Sequence, residues 1–310
     1  MPIPIDRQKI ANFGSLEFKA KQVVEGFITG LHKSPYHGFS VEFAEHRAYN
    51  KGESTRHIDW KLYAKTDKLY VKKYDEETNL RCQIVIDTSS SMNFPTDADY
   101  EKERYDKIGF SAYAAASLIQ MMRKQRDAVG LTLFNDHIYE HIAAKSNAVH
   151  MHHLYENLEK VINPDRNTRQ LSSPAEAIHE VAERIHKRSL VIIFSDLMES
   201  SGREDELIDA LQHLRYYKHD VVVFDVYDKK KELELEYDNR PYTFIDQETG
   251  EKVKLNPTAL KEVYTERMNA FIHALEVKCG QYKIDFVRCD IQEGFYPVLL
   301  EYLVKRKGLY

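Results

Sequence analysis

From Cys82 onward the chain alternates short apolar runs with longer segments of helical period. Parallel neighbours in a sheet need a crossover of about a dozen residues or more, most often a helix. The alternation therefore points to the α/β class, with a central, mostly parallel sheet flanked by helices. Predicted strands cover 82–86, 129–134, 190–194, 221–226 and 282–287. Predicted helices cover 105–123, 174–187, 204–217 and 258–279, with a last one near 297–305. Between Leu233 and Leu255 the pattern breaks into LELEYDNRPYTFIDQETGEKVKL, where Thr249-Gly250 reads as the turn of a β-hairpin. That hairpin, about residues 231–256, reads as an insertion on the edge of the fold.

The pattern changes near Leu80, which divides the chain into an N-terminal extension at 1–80, expected to pack on the core, and a domain at 81–310. In the extension, Leu16, Val23, Phe27 and Leu31 are spaced as on a helix, and a polar, aromatic-rich stretch follows through Trp60.

Composition excludes several classes. The 44 Lys and Arg against 49 Asp and Glu give a net charge of -5, with no global basic field, so nucleic acid is not the expected partner. Cys82, Cys279 and Cys289 lack paired-ligand spacing and are expected to be free, mostly buried thiols of a reducing compartment. The longest apolar runs fall far short of the roughly 18 residues that span a bilayer, and residues 1–6 lack a signal-peptide pattern. No direct membrane insertion and a cytoplasmic location are the expectations.

The stretch QIVIDTSSSM at 83–92 is the most informative. Ligands of open parallel sheets sit at the carboxyl ends of strands, where Asp87, Ser89 and Ser91 emerge at alternate positions. Carboxylate and hydroxyl are hard oxygen donors, which favour Mg2+ (or Mn2+) over zinc. A second acid, Asp196, follows the apolar run 190–194 in the same strand-then-acid arrangement. Two carboxylates with neutral hydroxyls leave a cation able to accept another acidic oxygen from outside, which is a binding device rather than a reaction centre. The alternative is that Asp and Ser merely cap a strand-to-helix turn.

Other features have plainer readings. Trp60, the sole tryptophan, reads as a packing anchor for the extension. Arg47, Arg56 and Asp59 read as a local ion-pair network or part of a partner surface. His150, His152 and His153 lack the HExxH geometry and read as a solvated helix start rather than a zinc site. Lys229, Lys230 and Lys231 read as a solvated loop. No GxxxxGK[ST], GxGxxG or GxSxG motif occurs, which argues against NTPase, dinucleotide and common serine-hydrolase chemistry. A phosphoaspartate phosphatase usually carries a second carboxylate two residues after the nucleophile, where this chain has Ser89.

The block Arg56-His57-Ile58-Asp59-Trp60-Lys61, then Leu69 to Lys72 and Asp87 to Met92, resembles the bacterial proteins grouped as domain of unknown function 58. The resemblance runs from about Val41 to the C-terminus. It implies a Rossmann-like von Willebrand factor A domain with a metal-ion-dependent adhesion site. Asp87, Ser89 and Ser91 match the first loop and Asp196 the aspartate of the later loop. The intermediate threonine position falls on Ser172, with Ser173 and Thr168 as the alternatives. Family members are often encoded beside MoxR-type AAA+ ATPases. The resemblance thus implies a non-enzymatic, metal-dependent protein-protein interaction module, an adaptor that grips an acidic residue of such an ATPase or its client. A metal-dependent phosphoester hydrolase, or an interaction domain with an empty metal site that binds through the RHIDWK region, are the other readings.

Overall fold

The computed structural model describes residues 15–31, 46–49, 60–72, 80–162, 169–197 and 204–307. The chain divides into two compact units, one of residues 1–29 with 80–310 and one of residues 30–79.

In the larger unit, six strands form one sheet: β3 (Arg81–Asp87), β4 (Ala128–Phe134), β5 (Ile138–Lys145), β6 (Leu190–Ser195), β7 (Asp220–Tyr227) and β10 (Asp285–Asp290). Their spatial order is β10-β7-β6-β3-β4-β5, parallel throughout except for antiparallel β5 at one edge. The α/β class expected from the alternation holds. The central strands β3, β6 and β7 are buried along nearly their whole length, as the apolar runs require when helices cover both faces.

One face carries α5 (Pro174–Arg184), α6 (Glu204–Tyr216) and the end of α7 (Pro257–Gln281), whose Leu275 and Cys279 join Ile178, Val181, Leu211, Val191 and Val223 in one core. Also in this unit are α1 (Ser15–Leu31) as far as Thr29, α3 (Lys107–Gln125), α4 (Ala148–Ile162) and α8 (Phe295–Lys307), with α3 packed on α4 and α8. Helix α1 buries Leu16, Ala20 and Val24, an i, i+4, i+8 stripe, while Val23 is only half-buried. Its Glu17 pairs with Arg123 at 2.9 Å and Lys19 Nζ donates to the Tyr100 carbonyl at 3.2 Å. All three cysteines are free and buried.

Three elements depart from expectation. The last strand begins at Asp285 rather than 282, because α7 continues to Gln281 and its terminal carbonyls must be closed first. The Ile284 N–H does so on the Cys279 carbonyl at 2.9 Å, with Lys283 left-handed at φ 57°. Strand β5 and helix α4 fill 138–162, where no strand was expected. The expected hairpin is present, β8 (Tyr242–Ile245) paired with β9 (Lys252–Leu255) as a two-stranded sheet of its own.

The smaller unit pairs β1 (His46–Ala48) antiparallel with β2 (Tyr70–Lys72) and contains α2 (Trp60–Thr66). Trp60 is 58% exposed and meets an edge of Tyr63, at 6.1 Å between ring centroids. Within this unit Trp60 sits at the first position of a seven-residue helix, which offers little surface to cover an indole. Arg56 and Asp59 lie outside the described residues, as does the side chain of Arg47.

Candidate metal centre

The site begins with strand register. Strands β3 and β6 are parallel neighbours with Ile86 opposite Phe194, so Asp87 and Ser195 leave the sheet side by side. The Ser195 hydroxyl donates to Asp87 Oδ2 at 2.8 Å, and the Leu197 N–H donates to Ser195 Oγ at 3.0 Å as the chain turns. On the other carboxylate oxygen, the Ser89 N–H donates to Asp87 Oδ1 at 2.9 Å. Ser89 and Ser91 hydroxyls lie 3.1 Å apart across a 3-10 turn, Ser90–Asn93.

A third segment, just before α5, closes this arrangement. The Ser172 hydroxyl donates to Asp87 Oδ2 at 2.9 Å. Its loop is tied to the first by two bonds, Ser90 N–H to the Gln170 carbonyl at 3.0 Å and Gln170 N–H to Ser90 Oγ at 2.8 Å. Ser173 occupies the helix N-cap without a side-chain cap bond, and Thr168 lies outside the described residues. Of the two described alternatives, Ser172 is the one whose hydroxyl reaches Asp87.

Charge is dense here. Asp87 and Ser89 are fully buried, and Asp196 nearly so. Burial, and then the nearby charge of Asp196, raise the Asp87 carboxyl to about 6 against the hydrogen bonds from Ser89 and Ser195. Lys107, the first residue of α3 after the Asp106 cap, sends its ammonium to Asp196 Oδ2 at 2.8 Å and to Glu232 Oε1 at 2.6 Å. Burial alone would lower the Lys107 pKa, but the two carboxylates outweigh it and hold the ammonium above its ordinary range. Glu232 comes from a single turn, Lys229–Leu233, after β7. Beside it, burial raises Asp225 to about 7, partly offset by Arg288.

The β8–β9 hairpin, inserted between β7 and α7, delivers another acid to the site. Its turn folds on Asp246, whose Oδ1 accepts from the Glu248 N–H at 2.8 Å, so that Glu248 Oε2 reaches the Ser172 N–H at 3.2 Å. Ser91 is also close enough to bear on the Glu248 carboxyl. Burial, then the charges of Asp196 and Asp87, raise the Glu248 carboxyl to about 7. Ser91 further lines an open cleft of about 380 Å³ with Phe94, Tyr237, Tyr242 and Phe244.

The five residues singled out in the sequence thus converge in three segments around Asp87, with Asp196 also engaged by Lys107. Sequence reasoning missed Ser195, Lys107, Glu232 and Glu248. Ser195 was legible as the neighbour of Asp196; the other three come from segments distant in sequence and carry no motif. The histidines divide: His150 is buried, with Nε2 2.7 Å from the Val129 carbonyl, whereas His152 and His153 are exposed beside Glu156. The solvated reading fails for His150 because its position on α4 faces the sheet. Lys229 and Lys230 are exposed, as expected of a loop, but the segment is a helical turn capped by Asp228, whose Oδ1 accepts from the Lys231 N–H at 3.0 Å.

Among the described residues, no three His, Cys, Asp or Glu side chains form a ready-made metal cage. The donors at Asp87 are instead mostly hydroxyls, a set suited to a hard divalent cation. A buried carboxylate pair only partly neutralised by one ammonium fits such a cation.

Comparison with known proteins gives a match of residues 45–271 to the family described as Protein of unknown function DUF58. The chain is 24% identical over 229 residues to the uncharacterized protein Rv1480 of Mycobacterium tuberculosis, covering 73% of this chain and 68% of that one. The uncharacterized protein Mb1516 of Mycobacterium bovis matches with the same identity and coverage. Among solved structures, the conserved hypothetical protein BatB of Bacteroides thetaiotaomicron has a TM-score of 0.46 at 14% identity, covering 74% of this chain and 99% of that chain. An aerotolerance-related membrane protein of Bacteroides fragilis has a TM-score of 0.43 at 13% identity, covering 68% and 90%. Among the described residues, no helix is long and apolar enough to cross a membrane.

Proposed function

The chain belongs to the DUF58 family, and on that premise we propose that it is a von Willebrand factor A-like binding module that grips a partner protein through a divalent cation. Asp87, Ser89, Ser91, Ser172 and Asp196 would hold Mg2+ (or Mn2+). When bound, the cation supplies a Lewis-acidic position for an acidic side chain of the partner. The partner proposed is a MoxR-type AAA+ ATPase or its client, met in the cytoplasm, with the chain acting as an adaptor rather than an enzyme.

One observation carries this reading: the fully buried Asp87 carboxylate gathers Ser89, Ser172 and Ser195 from three separate segments, with the Asp196 charge close by. Isolated buried carboxylates are costly, and capping a turn requires only local donors. Ser172 and Ser195 are 85 and 108 residues away in sequence, so this is more than a local cap. Both Asp87 oxygens already accept hydrogen bonds, which suits a residue that holds a cation rather than one that attacks a substrate. The aromatic cleft beside Ser91 supports the same reading, because an apolar surface next to a charged contact supplies area and specificity to a protein partner.

The test is association of the purified chain with a MoxR-type AAA+ ATPase from the same organism, in Mg2+ and in chelator. Binding that requires Mg2+ and is lost in Asp87→Ala is expected. Undiminished binding in chelator would remove the reading.

A further inference from the structure

The hairpin turn places a carboxylate of the chain itself at the side of the site from which a partner acid would arrive. Resting on the cation-site reading above, we infer that Glu248 is an additional ligand of that site, a resident carboxylate that a partner acid must displace. Glu248 Oε2 accepts the Ser172 N–H at 3.2 Å, and Ser91 is close enough to bear on the same carboxyl. These are two of the residues whose hydroxyls belong to the proposed donor set, and each is only half-buried, whereas Asp87 and Ser89 are sealed. Access from solvent therefore runs past Ser91 and Ser172, where Glu248 stands.

The position of Glu248 is built rather than incidental. The Asp246 carboxylate accepts from the N–H groups of both Glu248 and Thr249, at 2.8 and 3.2 Å. Gly250 turns the chain at φ 77° and lies against the Arg169 guanidinium, three residues before Ser172. The hairpin is thus fastened to the loop that carries Ser172. The residue whose N–H Glu248 accepts is the same Ser172 whose hydroxyl reaches Asp87 Oδ2 at 2.9 Å. With a cation present, Glu248 supplies in cis the acidic oxygen that a partner would otherwise bring.

The experiment uses the 310-residue chain with Mn2+ alone as the probe. Affinity is read from the free-ion resonance signal and the number of bound waters from water-proton relaxation. Glu248→Gln and Glu248→Ala are each expected to weaken Mn2+ binding by on the order of tenfold and to add one bound water. Acetate, standing for a partner carboxylate, is expected to displace that water in Glu248→Ala at concentrations that leave the wild type unchanged. Equal affinity and hydration in wild type and both variants, with binding still lost in Asp87→Ala, would overturn the role of Glu248 and leave the site reading intact. Wild-type protein that binds no Mn2+ through Asp87 would overturn both.

Discussion

Lys107 Nζ lies 2.8 Å from Asp196 Oδ2, and both side chains are almost wholly buried. Taking two charges out of water is costly, and a buried pair survives by mutual compensation. Lys107 also serves Glu232 at 2.6 Å, so it is the ammonium on which two carboxylates depend. Lys107→Met is expected to cost about 3–5 kcal/mol in urea unfolding measured in chelator. Saturating Mg2+ should recover part of that loss, since a bound cation offers Asp196 another counter-charge. A variant as stable as the wild type would contradict this view of the pair.

Asp225 gives the chain a pH dependence of definite sign. Its folded-state value of about 7 lies above the ordinary aspartate value of 3.8, chiefly because it is buried. From about pH 4 to about pH 7 the unfolded chain has released this proton while the folded chain retains it, so unfolding is favoured progressively as pH rises. The contribution is fully present below about pH 4 and lost through pH 7. Asp225→Asn should flatten the stability profile in that window by up to ~1.4 kcal/mol per pH unit. Unfolding midpoints measured in chelator across pH 4–8 check it, and an unchanged slope would count against it.

Gly130 sits in β4 where a Cβ would meet the Ile142 carbonyl at 2.5 Å and the Ala144 nitrogen at 2.8 Å. Both are backbone atoms of the neighbouring strand β5, which cannot move aside without breaking pairing. Gly130→Ala is expected to destabilise the fold by roughly 1–3 kcal/mol in chemical denaturation.

Gly250→Ala addresses the hairpin alone. A Cβ there would be strained at φ 77° and would run into the Arg169 guanidinium. The expected result is faster amide exchange across residues 246–251, with the global unfolding midpoint shifted by less than about 1 kcal/mol. An equal loss of protection in β3 and β6 would show that the hairpin is not an independent unit.

The sequence was most informative where one local pattern determines one element. Runs such as LVIIF in β6 are apolar because both sheet faces are covered, and the acids after β3 and β6 follow from where those strands end. Strand β5 escaped because it is an antiparallel edge strand: IYEHIAAK mixes exposed with half-buried positions and offers no apolar run. Lys107 escaped because nothing in KIGFSAYAAA distinguishes a buried first-turn lysine from a solvated one. Its burial depends on Asp196 and Glu232, 89 and 125 residues away. Glu248 was hidden in the same way: the hairpin was visible in Thr249-Gly250, but its destination was set by a tertiary contact with Ser172.

Calorimetric titration of Mg2+ into the wild-type chain and into Asp87→Asn tests the cation site most directly. The account predicts saturable binding at one site in the wild type, with an increase in unfolding free energy of about 2.7 kcal/mol when free Mg2+ reaches 100 times its dissociation constant. Both effects should vanish in Asp87→Asn, which keeps the side chain's shape but not its charge. No binding by the wild type, or equal binding by the variant, would contradict it.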